Sequence, residues 1–156
     1  MAKTKANNTP ALDKNDIGSL KAANEEFMHT LEGNLRLDYI HEMMYSFLPY
    51  PFYYGLSPLL CTTYVKCIMA VTNKRIIIAG LKEDNTINEK HIYYFPYDKI
   101  KIEFKKKLGK RSFIIDIKPQ RIFNFIVGSV VFEVEDPFIK QAEYLNEVIL
   151  EYLNQP

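Results

Sequence analysis

The sequence predicts an α+β domain: a bent antiparallel sheet or open barrel of about seven strands, capped by a C-terminal helix and preceded by an extra N-terminal helix. Three observations predict it. Two apolar runs, 67–71 and 76–79, are joined by Thr72-Asn73-Lys74-Arg75, the spacing of a tight hairpin. Ile100, Ile102 and Phe104 alternate with charged residues before Leu108-Gly109, and Phe113, Ile115 and Ile117 do the same after it, as half-buried strands do. Finally, Phe138, Ala142, Leu145, Ile149 and Tyr152 recur at helical spacing behind Asp136-Pro137, which suit an N-cap and a first helical position.

The elements follow in order. Residues 1–14 are polar and aperiodic and are expected to form a disordered arm. Residues 15–32 are expected to form a helix capped by Asp16 and stopped by Gly33, with Ile17, Leu20, Phe27, Met28 and Leu31 on one side. From Gly33 on, the period becomes two: Leu35, Leu37, Tyr39 and Met43 alternate with Arg36, Asp38 and Glu42. A segment rich in Pro, Tyr and Phe, residues 45–60, interrupts regular structure. The first hairpin then sets Val71 opposite Ile76 and Ala70 opposite Ile77, its turn centred on Asn73 and Lys74, because Asn tolerates a positive φ. A polar loop is expected over 82–90 and a short strand over 92–95, bounded by Pro96. A turn at Leu108-Gly109 pairs Phe104 with Phe113, Ile102 with Ile115 and Ile100 with Ile117, and sets Lys101 opposite Asp116 on the other face. A strand at 122–127 turning at Gly128 and a last strand with Val130, Phe132 and Val134 on one face lead to the final helix.

Composition narrows the function classes. At 156 residues and 47% hydrophobic, the chain suits one domain rather than two. Twenty basic and 19 acidic residues give a net charge of +1, and a dedicated nucleic-acid binder would carry a larger basic excess. Cys61 and Cys67 stand in neither a redox nor a zinc spacing. Buried free thiols and a cytoplasmic location are the expectation. Lys3 and Lys5 have no apolar stretch behind them, so no secretory signal is expected. Residues 43–65 carry no charge and have the length of a membrane span, but Pro49, Pro51, Gly55 and Pro58 would break such a helix.

Two surface features are candidate sites. Lys105, Lys106, Lys107, Lys110 and Arg111 place five positive charges within seven residues at one hairpin end. They could hold an anionic lipid surface; the alternative is a solvated tip whose charges discourage edge aggregation. Tyr45, Phe47, Tyr50, Phe52, Tyr53 and Tyr54, stiffened by prolines, could form a partner interface, or could fold back over the open end of the sheet as core. Nothing points to catalysis. His29, His41 and His91 are dispersed, with His41 read as a core residue. Glu25-Glu26 reads as a solvated helix face and Glu135-Asp136 as a helix start. The glycines are scattered singly, so no phosphate loop forms. No cofactor, metal or small-molecule substrate is expected.

The run Ile68-Met69-Ala70-Val71-Thr72-Asn73-Lys74-Arg75-Ile76-Ile77-Ile78 resembles the strand-turn-strand signature of bacterial pleckstrin-homology-like domains, the YokE-type and related GRAM-like group. Phe95-Pro96-Tyr97-Asp98-Lys99-Ile100 is similar to that group's segment before the next strand, and the terminal helix stands in the expected place. The resemblance covers roughly residues 33–153 of the sequence and sets the domain at 33–156. It implies a noncatalytic module that acts by binding or assembly, some members resembling ring-forming oligomers. In phosphoinositide-binding eukaryotic relatives the loop after the first strand carries lysines and arginines. Residues 45–65 here have none, which argues against that route, since phosphate capture needs several convergent donors. The sequence therefore points first to protein–protein contacts or homo-oligomerisation. Peripheral binding to an anionic membrane through the basic tip comes second, and nucleic acid is disfavoured.

Overall fold

The structure, a computed structural model, describes residues 13–40, 60–123 and 125–154. Strand β2 (Leu60–Thr72) turns into β3 (Arg75–Leu81) with Val71 opposite Ile76 and Ala70 opposite Ile77, as the apolar runs require. The turn differs in its chemistry from the expectation: neither Asn73 nor Lys74 adopts a positive φ. Thr72 holds it instead. Its hydroxyl accepts from the Lys74 and Arg75 amides at 3.2 and 3.1 Å and donates to the Arg75 carbonyl at 3.0 Å. Asn73 is thereby free to bond Glu26, its side-chain oxygen accepting from the Glu26 amide and its own amide donating to the Glu26 carbonyl.

Around this hairpin lies a seven-stranded antiparallel sheet, order β4-β3-β2-β1-β7-β6-β5. The remaining strands are β1 (Phe27–Ile40), β4 (Ile87–Pro96), β5 (Lys101–Lys107), β6 (Lys110–Ile122) and β7 (Phe125–Val134). β1 is the pivot: it pairs with β2 along its length, and its Gly33–Arg36 stretch pairs with Val134–Val131 of β7. The sheet curls so that the β6–β7 turn reaches β4. The Phe123 amide donates to the Tyr93 hydroxyl at 2.8 Å, and the Phe123 ring stacks on His91 with centroids 4.6 Å apart. Gly80 makes room for that ring, because a Cβ there would come within 2.9 Å of it.

Helix α1 (Ile139–Leu153) lies over the open end and buries Ala142, Leu145, Val148 and Ile149. Ala142, Leu145 and Ile149 join Leu31, Leu35, Leu37, Met69, Phe113 and Phe132 in one core, while Phe138 packs at its margin. Tyr152 stacks on Tyr97 at 5.9 Å, and the Tyr97 hydroxyl donates to the Thr72 carbonyl at 2.7 Å, tying the helix end to the first hairpin. Asp136 does not act as N-cap. It opens a 3-10 turn, Asp136–Phe138, with Pro137 in the first turn as expected.

The N-terminal helix is a correction. Only a 3-10 turn forms, Lys14–Leu20, capped by Asp13 rather than Asp16, and β1 already begins at Phe27. Local helix preference is weak, and tertiary pairing overrides it. Leu31, Leu35 and Leu37 point into the core from a strand bonded on both edges. Gly33 is no helix stop but a position in β1 where a Cβ would run into the Glu133 carbonyl of β7. The 3-10 turn has its own role, setting Ile17 on Ile68, Ala70, Ile77, Ala79 and Ile87 on the far side of the sheet. Burial on both faces explains why the runs in β2 and β3 are continuously apolar instead of alternating. Of the expected arm, residues 1–12 lie outside the described residues. Asp13 bridges to Thr86 and Lys14 reaches Glu32 at 2.6 Å.

Two loops also shift. The expected 82–90 loop shortens to residues 82–86, closed by Asn85 at φ 62 and by Asp84, which accepts from the Thr86 amide and hydroxyl. The hydrogen bonds from Thr86 hold the Asp84 carboxyl below its usual range. The strand expected at 122–127 is divided between β6 and β7, with the turn at Phe123 (φ 47) and not at Gly128. Pro119, which has no N–H to give the ladder, falls in the register shift between Asp116 and Gln120. Gly128 stays inside β7 facing it.

Candidate functional site

The β5–β6 hairpin gathers the described residues with the clearest binding chemistry. Strand alternation builds it. Phe104 lies opposite Phe113, ring centroids 4.8 Å apart, Ile102 opposite Ile115, and Lys101 opposite Asp116, all as the sequence predicts; Ile100 falls just before β5. The two-residue turn is Leu108 (φ 50) and Gly109 (φ 76), the pair of positive φ values that the favoured hairpin turn demands. Gly adopts this freely, whereas a leucine is strained there by about 1 kcal/mol. Leu108 is also 94% exposed.

The same alternation sorts the five basic residues onto two faces. Lys106 and Arg111 are paired across the ladder and turn toward α1. There the Arg111 Nε donates to Glu143 Oε1 at 2.9 Å, with Lys106 Nζ 3.4 Å from the same oxygen. The Arg111 hydrogen bond, followed by that of Lys106, holds the Glu143 carboxyl below its ordinary range. Lys105, Lys107 and Lys110 face the other way. With Ser112 they rim an open concavity of about 350 Å³ floored by Ile114 and Val131 and bounded by Arg36 and Glu133. Four cationic lining groups against one carboxylate leave an excess of three positive charges there. Glu103 lies 3.9 Å from Lys105, both well exposed, and Glu133 lies 3.7 Å from Arg36. The basic tip is therefore a helix-bound pair plus an outward triad.

The other sequence-derived candidates divide as follows. Tyr45, Phe47, Tyr50, Phe52, Tyr53 and Tyr54 lie outside the described residues, as does His41. His29 is exposed and meets Tyr144 edge-on at 6.3 Å. His91 is half-buried and shares a 2.8 Å hydrogen bond between its Nδ1 and the Tyr93 hydroxyl. Cys67 is a buried free thiol, pushed up to about 12 by burial and so unreactive near neutrality. Among the described residues no group of three His, Cys, Asp or Glu side chains could hold a metal ion. No helix among them is long and apolar enough to cross a membrane.

Glu25 departs from the solvated helix face expected of it. It is 5% exposed, its Oε1 2.8 Å from Arg75 Nε and its Oε2 accepting from Arg75 Nη2 at 3.2 Å and from the Ala22 amide at 2.7 Å. The guanidinium in turn lies 4.3 Å over the Tyr94 ring. This cluster locks the N-terminal segment to the β2–β3 hairpin. Its partners are fifty positions apart, and no local pattern could have announced it.

Compared with known proteins, the chain matches no protein-family model, no curated protein and no solved structure.

Proposed function

We propose that this chain is a noncatalytic pleckstrin-homology-like binding module. The observation that carries this reading is the way α1 closes the curled sheet. The helix follows β7 after one 3-10 turn, and Ala142, Leu145 and Ile149 fill the open end with apolar side chains, so a partner is met at the surface. Glu25, the buried carboxylate among the described residues, already has Arg75 and a backbone amide as partners, which favours a structural role for it over a chemical one.

The module acts through contact with a partner protein or a second copy of itself, by way of the aromatic residues between Tyr45 and Tyr54. Light scattering tests this: self-association is expected, and Phe52→Ser should reduce it. A monomeric chain that Phe52→Ser leaves unchanged in size and in its capture of other proteins would remove the support for this mode.

A second mode, docking on an anionic surface, is favoured by the outward triad Lys105, Lys107 and Lys110 beside a concavity with excess positive charge. A basic side chain near an anionic membrane contributes roughly 1 kcal/mol. Replacing all three by Gln is therefore expected to weaken co-sedimentation with phosphatidylserine-containing vesicles on the order of a hundredfold. Lys106→Gln should cost far less, because Lys106 is already engaged by Glu143. Binding should fade as salt rises. Equal binding by the wild type and the triple variant would rule this mode out.

A further inference from the structure

Leu108 is doubly unfavourable in the isolated protein. It occupies the left-handed region at φ 50 in a turn where Asn, Asp or Gly would sit without strain, and it is 94% exposed, with no packing to offset the cost. Strained residues cluster at functional sites. The surroundings say what kind. Lys107 and Gly109-Lys110 flank it directly, and Lys105 lies three residues back along β5, about 10 Å at the rise of a strand. An exposed apolar side chain stands at the turn among long cationic side chains and lines the same concavity with them.

We infer that the β5–β6 tip inserts Leu108 into the acyl boundary of an anionic lipid bilayer while Lys105, Lys107 and Lys110 hold the headgroup phosphates. The dimensions match: the interfacial zone of one leaflet is roughly 5–10 Å deep. The lysines can keep their charges at its outer level while their stems follow the leucine inward. A phosphate backbone in water offers a leucine nothing, so charge and apolar tip together select a bilayer over a nucleic acid. One inserted leucine with three lysines gives reversible attachment, not an anchor. The inference rests on the anionic-surface reading and adds to it the depth and the residue.

The test separates the two. In co-sedimentation with phosphatidylserine-containing vesicles, Leu108→Asn should bind about tenfold more weakly than the wild type, the worth of part of one leucine's transfer. The same variant should melt no lower than the wild type, since Asn accepts the turn geometry. The chain contains no tryptophan, so Leu108→Trp supplies a single reporter. Its emission should shift to the blue on these vesicles, stay unshifted with phosphatidylcholine alone, and be quenched by lipids brominated on the acyl chain. Wild type and Leu108→Asn binding alike, or a Leu108→Trp emission that stays unshifted at saturating lipid, would overturn insertion and leave electrostatic docking standing. Wild type that sediments with no anionic vesicle would overturn both. So would a light-scattering result in which Leu108→Asn abolishes self-association and lipid has no effect, which would assign the tip to a second copy of the chain.

Discussion

Replacing Gly33 by alanine is expected to cost the protein at least about 4 kcal/mol, a large share of the stability of a domain whose total is about 5–15 kcal/mol. Gly33 lies opposite Cys67 of β2 on one edge and opposite Val134 of β7 on the other. A Cβ added there would fall 2.1 Å from the Glu133 carbonyl oxygen and 3.0 Å from both the Glu133 carbonyl carbon and the Phe132 ring. The nearest obstacles are backbone atoms of the paired strand, so no side-chain rotation relieves the clash and β7 itself must withdraw. Its pairing with β1 spans four residues, and losing it loosens Phe132 and Val134 from the core. Urea unfolding followed by circular dichroism would measure the loss. Gly128→Ala is the control. A Cβ there would meet Pro119 at an ordinary 3.7 Å, and its effect should stay within about 1 kcal/mol. A Gly33→Ala protein within 1 kcal/mol of wild type would mean that β1 and β7 are not packed as described.

Glu25→Ala is expected to destabilise by about 2–3 kcal/mol. Breaking a buried ion pair costs about 3–5 kcal/mol when the remaining charge has no other solvation. Arg75 keeps 24% of its side chain exposed against 3% for Glu25, so water recovers part of the loss. Glu25→Ala also removes the acceptor of the Ala22 amide. Arg75→Ala should be worse, because it leaves the less exposed carboxylate without its cation. The double variant should cost less than the two single losses combined, the signature of direct coupling. A cycle in which the two losses simply add, or a Glu25→Ala effect under 0.5 kcal/mol, would dismiss the cluster as a lock.

What could be read from the sequence follows from how local each determinant is. The β5–β6 register was legible because alternating apolar residues on both sides of Leu108-Gly109 admit one pairing that buries them all. The β2–β3 pairing was legible for a similar reason, and the α1 stripe recurs in the buried Ala142, Leu145 and Ile149. The extra N-terminal helix failed because residues 15–32 satisfy a helical stripe locally. What decides their fate is β2 and β7, which supply edge hydrogen bonds that no local window contains. Phe123 failed differently. A bulky residue at φ 47 is a poor turn former on its own, and the stacking on His91 that stabilises it there lies some thirty residues away.

For the candidate site, the charges and their alternation were legible and the partner of each face was not. Alternation alone places Lys106 with Arg111 and Lys105 with Lys107 on opposite faces. Which face meets Glu143 depends on where α1 crosses the sheet, and that is a tertiary fact. The Leu108-Gly109 turn was predicted from spacing, but the exposure and strain of Leu108 emerge only in three dimensions.

The junction of β1 with β7 also bears on how the chain comes to be made. Residues 33 and 134 are neighbours in the sheet, so about a hundred residues must leave the ribosome before the first strand finds its second partner. Folds that rely on such distant pairings assemble slowly. Until translation delivers β7 and α1, the nascent N-terminal half would display an unfinished edge, and chaperone occupancy on the emerging chain should peak in that interval.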